Sequence, residues 1–327
     1  MPNTVEMTIV KAINAGIRKA MADNDKVIVF GEDVAALGGV FRVTEGILAE
    51  FGPKRIFNSP IAEAGIIGTG IGLAMRGYRP VAEIQFDGFI FPAFNQITTQ
   101  LAKLQNRSEG AMTMPMVIRV PYGGGIGAIE HHSESPEAYF AHTPGLRVIS
   151  PSNPNDAYWM IQQAIASEDP VLFFEPKRRY WQKGPVDLAN PPAGMHEATV
   201  LRQGKDVTIA AYGPMVATAL QAAEIGATEG RSIEVIDMRS MSPIDYATII
   251  ESVKKTGHLI VTHEANTNVS VSSEVAARVA ELAFYHLEAP VLRVGGFDVP
   301  YPAAKLEEKF LPDADRLLEA VDRSLGY

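Results

Sequence analysis

At 327 residues the chain is long enough for two domains, and with 46% hydrophobic and 20% charged residues it has the composition of an ordinary globular protein, not a disordered one. A net charge of -9 argues against a broad nucleic-acid surface, and the absence of cysteine excludes disulfides, thiolate metal sites and cysteine nucleophiles carried on this chain. The N-terminal sequence has no basic segment ahead of an apolar core, and the longest apolar stretch, Ala64 to Met75, is far short of a bilayer span, so a cytoplasmic protein that does not cross a membrane is expected.

Ile9, Ala12, Ile13, Ile17 and Met21 fall at helical spacing within Thr8 to Ala22, and Lys26 to Phe30 is a short apolar run that reads as a strand. The alternation continues with helix near Thr44 to Phe51, strand near Ile56, helix Ala62 to Met75, strand Pro80 to Phe86, helix Ile90 to Leu104 and strand Met116 to Val120. Strand Arg147 to Ser150, helix Asn155 to Ser167 and strand Val171 to Phe174 close a first domain, residues 1–180. Short continuous apolar strands separated by helices predict an α/β fold built on a parallel sheet covered on both faces. From Trp181 to Gly204 the pattern lapses into proline-rich polar sequence, read as a linker. The same rhythm restarts in a second domain, residues 205–327. Its elements are strand Val207 to Ala211, helix Pro214 to Thr228, strand Ile233 to Ile236, helix Ile244 to Val253, strand Leu259 to Val261, helix Ser272 to Phe284, strand Val291 to Val294 and helix Ala314 to Leu325.

Ligands of such sheets gather beyond the carboxyl ends of the strands, so the segments after them carry the candidates. These are Glu32 and Asp33, Asn58 to Glu63, Gln85 to Phe89, and Pro121 to Glu137, expected to converge on one edge. The glycines at 65, 68, 70 and 72 lack the spacing of a dinucleotide loop and lie in an apolar helix, where close packing explains them better. Glu63 opens that helix and, taken alone, reads as a carboxylate favoured by the helix dipole. In Gly123 to Gly127 four glycines free the backbone to bring amides near a ligand. Beyond them, Glu130, His131 and His132 suggest a metal less than an acid–base or oxyanion role, because adjacent residues seldom point the same way. His263 emerges at the end of a strand and reads as structural. His196 and His286 read as surface or capping residues, and the run Lys177, Arg178, Arg179 as a solvated face or subunit contact.

Taken in order, FGEDV, GGVFRVTEGIL, FNSPIAEAGIIGTGIGLA, AEIQF, HSESPEAYFAHTPGLRV, SEDPVLFFEPK, EVIDMRSMSPID and LEAPVLRVGGFDVPYP span nearly the whole chain. They resemble the beta chain of the decarboxylase component of 2-oxo acid dehydrogenases. The resemblance implies a transketolase-like pyrimidine-binding domain followed by a transketolase C-terminal-like domain. The implied activity is lipoamide-acylating oxidative decarboxylation with thiamine diphosphate, on branched-chain 2-oxo acids first, with pyruvate or acetoin as alternatives.

The resemblance also assigns residues. Glu63 matches the glutamate that hydrogen-bonds the pyrimidine ring nitrogen and so helps the thiazolium carbon lose its proton. His132 matches the histidine that precedes Ser-Gln or Ser-Glu and assists acyl transfer. Ile61, Gln85 and Phe89 would line the pyrimidine and substrate pocket, and Glu32 would join a proton path between sites. No GDG run occurs here, so the diphosphate and its magnesium would be held by an alpha subunit in an α2β2 heterotetramer. Some relatives place potassium among backbone carbonyls, here those of Met114, Met116, Val117, Ala164, Ser167 and Asp169. A lipoyl acyltransferase core is the further partner, reached through a basic segment attracted to the acidic surface. A single-chain transketolase would need the diphosphate half that this sequence lacks, and a non-enzymatic scaffold would not need both Glu63 and His132.

Overall fold

Runs such as Val27–Gly31 and Val117–Tyr122 are apolar on both sides of the chain, so they are stable only where helices cover both faces of a sheet. The computed structural model describes residues 4–327 and has this layering twice. The strands of the first half are β1 (Thr4–Thr8), β2 (Val27–Gly31), β3 (Ile56–Asn58), β4 (Arg79–Glu83), β5 (Val117–Tyr122), β6 (Arg147–Ile149), β7 (Val171–Pro176) and β8 (Lys183–Asp187). Those of the second are β9 (Thr199–Arg202), β10 (Val207–Ala211), β11 (Ile233–Asp237), β12 (Ser240–Ser242), β13 (Leu259–Asn266) and β14 (Leu292–Gly296). The larger sheet runs β12-β6-β7-β5-β4-β2-β3 and is parallel except for β12. The second runs β14-β13-β10-β11-β9 and is parallel except for β9.

On one face of the larger sheet, helices Ile9–Asp23 and Pro154–Ala166 pack Ile13, Ile17, Ala157 and Ile161 against Val29, Val81 and Phe173. Thr8 caps the first helix by accepting from the Lys11 amide, and Asn153 caps the second by accepting from the Asp156 amide. On the other face, Ile66, Ile67, Ile118 and Phe174 belong to a core that continues into Tyr212, Ile236, Val261 and Val275 of the second half. One apolar interior therefore joins the two units.

Three departures from the sequence reading have physical causes. The stretch expected as a linker carries β8, which pairs antiparallel with β1, and β9, an edge strand of the second sheet; Pro185 is tolerated because β8 has only one neighbour. The helix expected at Ile90 to Leu104 begins at Asp87 as a tight 3₁₀ segment containing Pro92, then widens to a π segment at Gln96–Leu101 before Ala102–Arg107 becomes α-helical. Of the four helix glycines only Gly70 serves close packing, since a Cβ there would lie 2.3 Å from Met116 Cε, whereas among the described residues nothing comes within 4 Å of a Cβ at Gly68 or Gly72.

His263 is fully buried, as its structural reading requires. Its Nδ1 pairs with the Ala265 carbonyl at 2.9 Å, and Nε2 with the hydroxyls of Ser270 and Ser272 at 3.1 and 2.7 Å. Burial pushes its pKa down to about 4, against a smaller opposing effect of the Ala265 carbonyl. The unfolded chain therefore takes up this proton first as pH falls, so the stability tied to neutral His263 is complete above its ordinary pKa and is lost between roughly pH 6.5 and 4. The thermal midpoint should drop between pH 7 and pH 5, and His263→Gln should flatten that drop; equal slopes in the two proteins would contradict the assignment.

Candidate active site

Strands β3, β2, β4 and β5 are adjacent and parallel, so the segments after them meet at one edge. The floor of that edge is charged. Arg119 of β5 is fully buried between Glu83 of β4 and Glu175 of β7, with nitrogen–oxygen distances of 2.6 Å to Glu83 and 2.7 and 2.9 Å to Glu175. Burial works against the guanidinium charge, but Glu175 and Glu83 outweigh it and hold its pKa above the ordinary value. The Tyr180 hydroxyl donates to Glu175 at 2.5 Å.

Glu32 and Glu63 are both buried, Glu32 just after β2 and Glu63 at the head of helix Glu63–Met75. Burial, then the neighbouring carboxylates of Glu63 and Asp33, raises the pKa of Glu32, and its Oε1 has no hydrogen-bond partner among the described residues. Gln85 reaches back to Asp33 at 3.4 Å. Ile61, two residues before Glu63, is 83% exposed.

His132 lies on a short 3₁₀ turn, Glu130–His132, against two rings: Phe86 at 4.2 Å and Phe89, edge-on, at 5.1 Å between centroids. Burial, then His131 and Lys177, lowers its pKa, so the imidazole is neutral at physiological pH; its Nδ1 has no hydrogen-bond partner among the described residues. Contrary to the expectation for adjacent residues, the His131 and His132 rings are only 4.6 Å apart and both face Phe89. Among the described residues no group of three or more His, Asp or Glu side chains is placed to hold a metal ion.

Several supports of this turn escaped the sequence reading. Lys177, expected on a solvated face, is buried and paired with buried Asp87. Burial lifts the Asp87 carboxyl to about 6 against the pull of Lys177. Asp87 also accepts from the Glu134 amide at 2.5 Å, and Gly88 lets the turn settle, since a Cβ there would lie 2.3 Å from the His131 carbonyl oxygen. Arg178 pairs with Glu264 at 2.6 Å and Arg179 donates to the Pro214 carbonyl, so this basic run docks on the second unit. The amides of Gly124, Gly125 and Gly127, expected to face a ligand, instead donate to carboxylates of the second unit, Glu264 and Glu307. His196, also expected at the surface, is half-buried against the Ser240 hydroxyl. The backbone positions assigned to potassium are neighbours. Met116 NH donates to the Met114 carbonyl and Val171 NH to the Met116 carbonyl, and the Arg79 guanidinium donates to the carbonyls of Ile165 and Ser167 at 3.0 and 2.9 Å.

Residues 5–182 match the transketolase pyrimidine-binding domain, and residues 196–317 match the transketolase C-terminal domain. The chain is 64% identical over 326 residues to the pyruvate dehydrogenase E1 component subunit beta of Leifsonia xyli subsp. xyli, covering 100% of this chain and 97% of that one. The chain belongs to the family of E1 beta subunits of 2-oxo acid dehydrogenases. Another member, the 3-methyl-2-oxobutanoate dehydrogenase subunit beta of Mycobacterium tuberculosis, is 51% identical over 323 residues, 98% of this chain and 93% of its own. A solved structure described as a split-gene transketolase, inactive β4 tetramer, superposes with a TM-score of 0.81 at 26% identity over 98% of both chains. The fold is thus the two-domain transketolase-like α/β arrangement, and the E1 subunits of this family use thiamine diphosphate.

Removing Arg119 strands two buried carboxylates, a loss expected to cost about 3–5 kcal/mol for a broken buried pair. Arg119→Met should therefore lower the thermal midpoint markedly, read by circular dichroism; an unchanged midpoint would show that the bridge contributes little.

Proposed function

We propose that the chain forms the pyrimidine-binding half of an oxidative 2-oxo acid decarboxylase that works only with an alpha subunit, in an α2β2 assembly, and passes the acyl product to the lipoyl group of an acyltransferase core. The observation that carries this reading is a buried helix-head carboxylate, Glu63, with Glu32 beside it, at the same sheet edge as a neutral histidine held between two phenylalanine rings. The residues fit thiamine diphosphate, because Glu32 Oε1 and His132 Nδ1 are buried polar atoms without a hydrogen-bond partner among the described residues. When bound, that cofactor supplies the carbon nucleophile and electron sink a 2-oxo acid needs to lose carbon dioxide.

Glu63 would hold the pyrimidine ring nitrogen through a hydrogen bond, strengthened by the low-polarity surroundings of this buried side chain. Ile61, Gln85 and Phe89 line the pyrimidine and substrate side, and Glu32, whose proton is favoured by burial and by Glu63, passes protons to and from that carboxylate. His132 enters the reaction uncharged, ready to take up or return a proton at the reacting oxygen and during transfer to the lipoyl sulfur. The diphosphate and its magnesium go to the alpha subunit, because no GDG run is present in this sequence. Exposed Ile61 and the open helix face at Gly68 and Gly72 support a partner chain covering this edge. Potassium is left out of the reading, since the Arg79 guanidinium already brings a fixed positive charge to the carbonyls of Ile165 and Ser167.

Two substrates have support. The apolar wall of Phe86 and Phe89 suits a branched aliphatic side chain, while the relative with 64% identity carries the name of pyruvate dehydrogenase. Reconstitution with the alpha subunit, followed by decarboxylation rates on pyruvate and 3-methyl-2-oxobutanoate, decides between them, and no turnover on either would sink the proposal. In the same assembly Glu63→Gln should lower decarboxylation by about 10²–10⁴-fold with the tetramer intact; near-normal turnover would remove Glu63 from the mechanism. His132→Ala should reduce lipoyl acylation more than decarboxylation, and equal losses in the two assays would argue against a transfer role.

A further inference from the structure

We infer that Glu307, in the C-terminal unit, is a positioning residue for His132, acting through the glycine loop; the inference rests on the reading above in which His132 serves acyl transfer. The loop from Gly123 to Gly127 has no regular hydrogen bonding of its own, and Gly123, Gly125 and Gly127 sit at φ of 84°, 84° and 71°, where side chains are strained. Such a segment holds one conformation only if something outside it takes up its amides.

Glu307 does so with both oxygens. Its Oε1 accepts from Gly125 NH at 2.8 Å and its Oε2 from Gly127 NH at 2.9 Å, while the Tyr301 hydroxyl donates to Oε1 at 2.5 Å. Burial opposes ionisation of this carboxyl, yet the Tyr301 hydroxyl and the loop amides keep its pKa below the usual range, so these are charge-assisted bonds. Glu264 Oε2 takes the Gly124 amide at 2.9 Å. The fit leaves no room for side chains: a Cβ on Gly124 would meet the Tyr301 hydroxyl at 2.0 Å, and one on Gly125 would meet Arg178 Cδ at 2.7 Å.

The loop is closed at its base, where Gly123 NH donates to the Glu134 carbonyl at 2.9 Å. His132 lies inside that closed segment. Asp87 pins the Glu134 end from within the first unit, and Glu307 pins the Gly125–Gly127 side from the second. The histidine turn thus reports the seating of one unit on the other, and loosening Glu307 gives His132 more positions than the reaction can use.

The test uses the assembled α2β2 enzyme with a lipoyl domain. Glu307→Gln keeps the volume but replaces one acceptor oxygen by an NH₂ group, so only one of the two loop amides keeps its partner. Lipoyl acylation should fall about tenfold, the weight of one charge-assisted hydrogen bond, while decarboxylation measured with an artificial electron acceptor stays within about twofold. In a His132→Ala background the same substitution should add nothing further, because it acts through His132. Tyr301→Phe, which leaves the carboxylate in place, should give a smaller loss confined to the same half-reaction. Equal losses in both half-reactions, or additivity with His132→Ala, would overturn the inference. Hydrogen exchange reads the clamp without reference to activity: Glu307→Gln should speed exchange across Gly123–Ser133, and unchanged protection there would also overturn it. If the unsubstituted assembly fails to acylate lipoyl domains but the exchange difference appears, the functional reading falls and the clamp stands.

Discussion

Three neighbouring strands carry charge that water cannot reach, and the rest of the site follows from how that charge is balanced. Taking a guanidinium and two carboxylates out of water costs several kcal/mol per ion, repaid only when geometry is good and the remaining donors are used. Arg119 meets that condition by bridging Glu83 and Glu175, which fixes the ends of β4, β5 and β7 relative to one another. From there the order propagates. Glu175 holds the Tyr180 hydroxyl at the end of the turn that carries Lys177; buried Lys177 neutralises Asp87; Asp87 takes the amide just beyond the histidine turn. The position of His132 is therefore an indirect result of where a buried arginine had to go.

The same low-polarity edge sets protonation. Desolvation disfavours whichever form is charged, so one cause pushes an acid up and a base down. Glu32 moves up and His132 moves down, each with burial as the largest cause. Lys177 adds to the effect on His132 from below while being itself tied to Asp87. Lys177, whose partner Asp87 positions the turn, also tunes it.

Much of the fold was legible because it rests on local patterns. Apolar runs at Val27, Val81, Val117 and Val171 are buried parallel strands, and the spacing of Ile9, Ile13 and Ile17 marks one buried helix face. Glu63 was legible only through its place in an ordered set of motifs, since a helix-head glutamate has a simpler explanation by the dipole. What the sequence hid was long-range. No local rule announces that β12 crosses to the edge of the other unit's sheet, or that the basic run at Lys177 turns inward to partners as distant as Asp87 and Glu264. The paired histidines misled for a related reason: a 3₁₀ turn pressed against Phe89 overrides the divergence expected of neighbouring side chains. The glycine loop misled differently. Its free amides were evident, but their acceptors lie 140 to 182 residues away, so a ligand was the only acceptor in view.

That last point bears on how responsibility is divided across the molecule. A glycine-rich loop at a sheet edge invites a phosphate, and in this chain the invitation is already answered by Glu264 and Glu307. Carboxylates in that position repel a diphosphate and leave no free amides to receive one. The side that stays open is the other one, where Ile61 is exposed and the helix face at Gly68 and Gly72 meets nothing among the described residues. The geometry thus separates two jobs along one sheet edge. One end is spent on holding a histidine turn rigid between two units of the same chain. The other end presents a buried carboxylate, Glu63, two residues from the exposed side chain of Ile61.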